Sequence, residues 1–330
     1  MKVSVILTVL NEEHAVRAVL ESLAAQTRPP DEVVIAEGGS HDTTLGALRD
    51  YAETGRLPLH VMETPGANIS QGRNAAIRAA TGDVIAVTDA GVRCDPTWLE
   101  KLTAPLIHDQ QSAFGVLHPP MVAGFFRADS ENMFEIAMGA TVLPEARDVN
   151  PRTYLPSSRS VAFRKSAWEA VGGYPEWLDY CEEVVFDLRL RQKYGPFAFV
   201  PEAAVHFRPR GSLPAFARQY YRYARGDGKA NLFPAQHAVR YFTYLAAAPL
   251  VVYAALTISP WLWLLGVAAG LAYIRLPLRR VWPRLRGLAW LDKLRALLYI
   301  PLIRVVGDAA KIAGYPAGVV WRARKNLPFL

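Results

Sequence analysis

VSVILTVLNEE, from Val3 to Glu13, is a run of Val, Ile and Leu that stops abruptly at Asn11-Glu12-Glu13. Such a short apolar run closed by polar residues predicts a strand buried on both faces of a parallel sheet. The next segment, Glu12–Ala25, sets Val16, Val19, Leu20 and Leu23 on one helical face. EVVIA (Glu32–Ala36) predicts a second strand, with Glu37-Gly-Gly-Ser-His-Asp at its carboxyl end. Thr43–Thr54 reads as a helix, Leu59–Glu63 as a third strand and Ile69–Ala80 as a helix closed by Thr81-Gly82. VIAVT (Val84–Thr88) is a fourth strand and runs into Asp89-Ala90-Gly91. Strand and helix alternating in this way predict an α/β fold, a Rossmann-like, mostly parallel sheet. Ligands of such sheets bind beyond the carboxyl ends of the strands. Asn11 and Glu12, Glu37 to Asp42, and Asp89 to Gly91 all fall there.

Composition narrows the class. The 330 residues are 51% hydrophobic and 20% charged, which excludes a disordered chain and supplies a large core. Two cysteines, Cys94 and Cys181, are too few for a disulfide scaffold and carry no zinc spacing, so a reducing compartment is expected. No G-x-G-x-x-G follows the first strand, no P-loop is present, and no G-x-S-x-G elbow occurs. The apolar start is too short for a secretory signal. The net charge of +7 is uneven: Arg275–Leu330 carries +10 and the remainder −3. A basic tail behind an apolar stretch fits an anionic membrane surface better than nucleic acid, and no nucleic-acid partner is expected.

That apolar stretch, Tyr241–Ile274, holds no charged residue and no His over 34 positions, with Arg240 and Arg275 at its ends. One straight span needs about 20 residues. Ser259-Pro260 divides the stretch, and proline starts helices better than it continues them. Two helices, Arg240–Ile258 and Pro260–Leu278, are therefore expected as a transmembrane or re-entrant hairpin. The alternative is a buried hairpin of a soluble protein. Tyr241, Tyr244, Trp261, Trp263 and Tyr273 stand where interfacial anchors belong, and the arginines from Arg275 to Arg286 mark the cytosolic side. Leu288–Val306 mixes leucines with basic residues and predicts an interfacial helix, broken or kinked at Pro301. The expected organisation is a catalytic domain over 1–228, an apolar hairpin with a basic loop over 229–286, and a basic amphipathic region over 287–330.

Six segments, taken in order, resemble the family 2 glycosyltransferases of the GT-A fold, of the bacterial, membrane-associated type. TVLNEE (Thr8–Glu13) is similar to the first-strand motif, and EGGSHDTT (Glu37–Thr44) to the nucleotide-binding loop. QGRNAAIRAATGDVIAVTDAG (Gln71–Gly91) resembles the approach to the D-x-D metal motif. VAFRKSAWEAVGGYPE (Val161–Glu176) resembles the acceptor-side segment, and YCEEVVFDLRLRQKYG (Tyr180–Gly195) the base helix. QYYRYARG (Gln219–Gly226) is close to Q-x-x-R-W, with Tyr223 in the Trp place. Three positions depart from the pattern. Glu37 replaces an Asp, Gly91 replaces the second D-x-D carboxylate, and Glu182-Glu183 replaces Glu-Asp.

The resemblance implies an inverting transfer from a nucleotide-diphosphate sugar, UDP-type, to a lipid-linked or envelope saccharide acceptor at the cytosolic membrane face. A catalytically weakened GT-A module serving as a membrane scaffold is the alternative. Donor contacts are expected from Asn11, Glu12, Glu37, Asp42, Arg73, Asn74 and Asp89. Asp42 reads equally as the N-cap of the Thr43 helix, and Arg73 as a solvated charge. Asp89, an acid in apolar surroundings, is expected to meet a cation, either Mg²⁺ or Mn²⁺ with the diphosphate. His206 is either a further metal or phosphate contact or a structural histidine. Asp95-Pro96 reads as a helix cap. Glu183 is the expected general base, with Glu182 the runner-up and one of the two serving the helix N-terminus. Gln219, Arg222 and Tyr223, at i, i+3 and i+4, share a helical face suited to the acceptor and the diphosphate.

Overall fold

The computed structural model describes residues 1–107 and 119–325. The chain begins β1 (Val3–Val9), α1 (Val16–Ala24), β2 (Glu32–Glu37), α2 (Thr44–Glu53), β3 (Leu59–Glu63), α3 (Ile69–Ala79) and β4 (Val84–Val87). It continues β5 (Val92–Cys94), α4 (Trp98–Ile107), β6 (Met121–Ala128), α5 (Met133–Val142), β7 (Val161–Arg164), α6 (Lys165–Ala170), α7 (Glu182–Tyr194) and β8 (Ala198–Phe207). Helices α8 (Leu213–Ala230), α9 (Pro234–Phe242), α10 (Ala248–Thr257), α11 (Trp263–Val281) and α12 (Trp290–Arg324) follow. The first four strands and three helices match the sequence reading to within a few residues. The chain divides into two units, 1–129 with 146–207, and 130–145 with 208–330.

The first unit is a sheet of order β3-β2-β1-β4-β7-β6-β8-β5. β1 pairs in parallel with β2 and β4, and β2 with β3; β7 then runs antiparallel to both β4 and β6. The sheet is the mostly parallel GT-A arrangement, with its reversed strands confined to the later half. Alternation along β1 sends Val3, Val5, Leu7 and Val9 to one core and Ile6 to the other. Helices cover both faces, so the loops after β1, β2 and β4 are what remain to meet a ligand.

The second unit is helical. The expected hairpin is present, with its break at Ile258-Ser259. Two helical stretches, Pro234–Thr257 and Pro260–Leu285, are long and apolar enough to cross a membrane, and only 6% of each apolar window is buried. The first stretch includes a π turn at Thr243–Ala247. Asp308 of α12 holds the two arms of this hairpin, accepting from Arg240 Nε at 2.8 Å and from Tyr244 at 3.1 Å, and also from Tyr273.

Two expectations change here. Pro301 does not end a helix, because α12 runs through both Pro301 and Pro316 over 35 residues. Its packing along α8 supports it. Gly314 and Gly318 allow that approach: a Cβ at either would lie 2.3 or 2.1 Å from the carbonyl of Tyr221 or Arg225. For the same reason α8 groups with the C-terminal helices, and the boundary expected after Gly228 falls at 207/208 instead. The last five positions of the region expected over 287–330 lie outside the described residues.

Candidate active site

The loops after β1 and β2 are knitted together through their own polar groups. Asn11, in a left-handed conformation (φ 55°), accepts from the His41 amide at 2.9 Å and donates its own N–H to Ser40 Oγ at 2.9 Å. The Glu12 amide donates to Thr44 Oγ1 at 2.8 Å. Asp42 accepts from the Thr44 amide at 3.0 Å and from the Glu13 amide at 3.4 Å. The Thr44 hydroxyl, followed by these amides, holds the Asp42 carboxyl below its usual range. Asp42 thus ties the loop after β1 to the first residue of α2, but the N-cap position itself falls on Thr43, whose side chain makes no capping hydrogen bond. Glu37 is buried, and its carboxylate takes the amides of Gly39 (3.0 Å) and Ser40 (2.6 Å). These acids shape the rim at the carboxyl ends of β1 and β2.

Below the rim is a buried charge cluster. Arg73, on the inner face of α3, is 3% exposed. It donates to Glu182 at 2.5 Å and to Asp89 at 3.0 Å, with Tyr174 5.4 Å beneath the guanidinium. Burial works against the Arg73 charge, but Glu182 and then Asp89 outweigh it and raise its pKa. Arg73 thus ties together α3, the end of β4 and the first turn of α7. It is neither a solvated charge nor aimed at an open phosphate site, because both terminal nitrogens are taken by carboxylates.

Asn74 is also diverted from the donor. Its amide donates to Tyr174 O (2.8 Å) and to Glu176 (3.0 Å), and its Oδ1 accepts from Trp168 Nε1 (3.1 Å) and the Tyr174 amide (3.0 Å). These four bonds use its whole capacity. Gly173, at φ +69°, must be glycine: a Cβ there would sit 2.8 Å from Asn74 Oδ1.

Glu182 and Glu183 open α7 after Cys181, itself left-handed at φ 63°. Glu182 is buried on Arg73, whereas Glu183 remains half-open. Burial first, then the charge and hydrogen bond of Glu183, push the Glu182 carboxyl up, and Arg73 pulls it back. Although adjacent helical residues point about 100° apart, the two carboxyls interact. One turn on, Asp187 is fully buried with Oδ2 unpartnered, and burial followed by Glu183 raises it well above its ordinary range. A raised carboxyl stabilises the fold fully below its unfolded pKa of about 3.9, and that contribution is lost as pH rises through the folded value. Asp187→Asn should therefore flatten the decline of thermal stability as pH rises above about 3.9. Parallel slopes for variant and wild type would contradict this.

The cation that Asp89 meets is arginine. Besides Arg73, Arg159 Nε lies 3.6 Å from Asp89 and stacks over Phe207 at 4.8 Å. Arg159 carries no motif and was invisible in the sequence. His206 Nε2 pairs with Asp95 at 2.9 Å rather than with Asp89. That pairing also removes Asp95 from the expected cap, since α4 begins at Trp98. Among the described residues no three His, Cys, Asp or Glu converge as metal ligands. In the second unit Gln219 Nε2 donates to Tyr223 at 2.7 Å, and Arg222 lies exposed on the same helix.

A family model, Glycosyl transferase family 2, matches residues 4–169. Validoxylamine A glucosyltransferase of Streptomyces hygroscopicus subsp. limoneus is 31% identical over 103 residues, 31% of this chain and 23% of that protein. Poly(ribitol-phosphate) beta-N-acetylglucosaminyltransferase TarS of Staphylococcus aureus is 27% identical over 192 residues, 57% of this chain and 32% of that one. The chain thus spans less than a third of either relative. Among solved structures, mannosyltransferase PcManGT from Pyrobaculum calidifontis, in complex with GDP-Man and Mn²⁺, superposes with TM-score 0.62 at 20% identity. That likeness covers 94% of this chain and 87% of the other. With half the chain matched by the family model and the same fold beneath the motifs, the chain belongs to glycosyl transferase family 2.

Proposed function

We propose that the chain moves a sugar from a UDP-type nucleotide-diphosphate donor to an acceptor hydroxyl, with inversion, and that Glu183 is the general base. The observation that carries this reading is the division of labour at the start of α7. Glu182 is buried and committed to Arg73, which leaves Glu183 half-open beside it. Glu183 takes the proton of the acceptor hydroxyl, whose oxygen attacks the anomeric carbon. The bond from that carbon to the diphosphate breaks, and the diphosphate leaves with the electron pair. Glu12 and the loop from Glu37 to Asp42 receive the nucleoside, and Asn11 and Asp42 keep that loop in register. Arg159, beside Asp89, supplies positive charge at the end of β4 for the departing diphosphate.

The resemblance implies a divalent cation, and the PcManGT complex contains Mn²⁺. The residues here do not fit a resident ion. Asp89 faces two arginines, Gly91 supplies no ligand and His206 is engaged by Asp95. No step is routed through a metal.

The acceptor is a lipid-linked or envelope saccharide at the cytoplasmic face of the membrane. Support comes from the exposed apolar hairpin, with Leu256 72% and Trp261 78% exposed, and from the basic residues that follow it. The first unit faces the cytosol in this reading. The test is a panel of nucleotide sugars given to purified full chain with lipid extract. Transfer from a UDP-sugar supports the proposal. Donor binding without transfer or hydrolysis across the panel favours the scaffold reading. For topology, a cysteine at position 284, with Cys94 and Cys181 replaced by Ser, should be shielded from an impermeant thiol reagent outside intact cells. Labelling there, with a cysteine placed in the first unit still protected, would rule out the hairpin.

A further inference from the structure

Within the first unit, on the outer side of the frame that holds Arg73, is a cavity of about 530 Å³, a size that suits a saccharide unit. Trp177 contributes its accessible aromatic wall, backed by the buried Trp168 and Tyr174, and Arg78, Glu169, Glu176 and Arg189 its charges. The frame is built rather than loose. Trp168 Nε1 is held by Asn74, Gly173 keeps its backbone tight against both, and Tyr174 is buried under Arg73.

Arg189 is the unusual member. It projects from α7 and is half-buried, and among the described residues it makes no ion pair or hydrogen bond, the cavity's two carboxylates, Glu169 and Glu176, notwithstanding. The desolvation it suffers is not offset by any counter-charge. Arg78, by contrast, leans on Glu176 at 3.4 Å, and Arg191, two residues on, is tied to the carbonyls of Thr153 (3.2 Å) and Tyr154 (2.5 Å). A planar guanidinium without a counter-ion is matched by a carboxylate through two parallel hydrogen bonds. An indole wall suits the C–H face of a pyranose ring. The two features together select a sugar that is itself acidic.

The geometry points to this cavity as a binding site for an acidic saccharide, with the sugar carboxylate on Arg189 and the ring against Trp177. It deepens the proposed function, on which it rests, by naming the class of acceptor. The segment 172–177 that lines the cavity precedes Glu182-Glu183 by a few residues, and Arg189 lies on the same helix as both acids.

The test is binding in the absence of donor, by saturation-transfer NMR on the full chain. The probes are a glucuronate-containing oligosaccharide, its neutral glucose counterpart and inorganic phosphate. The acidic oligosaccharide should bind at least about tenfold more tightly than the neutral one. Arg189→Gln should abolish that difference, Arg189→Lys should retain part of it, and UDP affinity should be unchanged in both. Equal binding of acidic and neutral probes to wild type overturns the proposal even where a variant fails to fold. So does undiminished discrimination in Arg189→Gln. Inorganic phosphate competing as well as the acidic oligosaccharide would mean a simple anion site and would overturn the saccharide assignment. Because no donor is present, failure of sugar transfer with this binding intact strikes only the proposed function.

Discussion

Glu183→Gln is expected to slow sugar transfer by about 10²–10⁴-fold while leaving donor affinity within a few-fold, the usual cost of losing a positioned general base. The amide keeps the shape of the side chain and its place in the first turn of α7, and loses only the ability to accept the acceptor proton. Single-turnover transfer with a saturating donor reads the effect, and nucleotide binding to the same protein serves as the control. Glu182→Gln should behave differently. Glu182 is buried on Arg73, so its loss should register mainly as reduced stability. Near-normal turnover in Glu183→Gln would take the base role away from this residue.

Arg73→Met should be the most damaging single change to the fold of the first unit. It removes the cation from two carboxylates at once and leaves Glu182, 3% exposed, as a buried acid without its partner, which must then bear an uncompensated charge or take up a proton. Removing one partner of a buried pair costs about 3–5 kcal/mol, a large part of the roughly 5–15 kcal/mol by which domains are stable. The double variant Arg73→Met/Glu182→Gln removes both buried charges and should recover a substantial part of that loss. Urea unfolding of the three proteins decides the matter. A double variant no more stable than Arg73→Met would show that the Glu182 charge is not what the arginine compensates.

Local pattern was enough for the first half of the sheet. Apolar runs of four to eight residues and amphipathic helices repeat within short windows, and strands β1 to β4 emerge from that periodicity alone. The break at Ser259-Pro260 and the length of the apolar stretch were equally legible, since charge and proline act where they stand. Glu182 and Glu183 were identified as the acids of interest, but the sequence left open which one stays accessible. The partners that decide it are remote: Arg73 lies 109 residues from Glu182 and 16 from Asp89. Asn74 likewise spends its hydrogen bonds 94 to 102 residues away, and Arg159 reaches Asp89 without any motif to announce it. α12 passes two prolines because α8 packs along it at glycines, a contact that helix propensity does not contain. Periodicity and turn chemistry are properties of neighbouring residues. The pairing of a buried charge depends on which distant side chain the sheet and helices bring within 3 Å, and it is this pairing that sets Glu182 apart from Glu183.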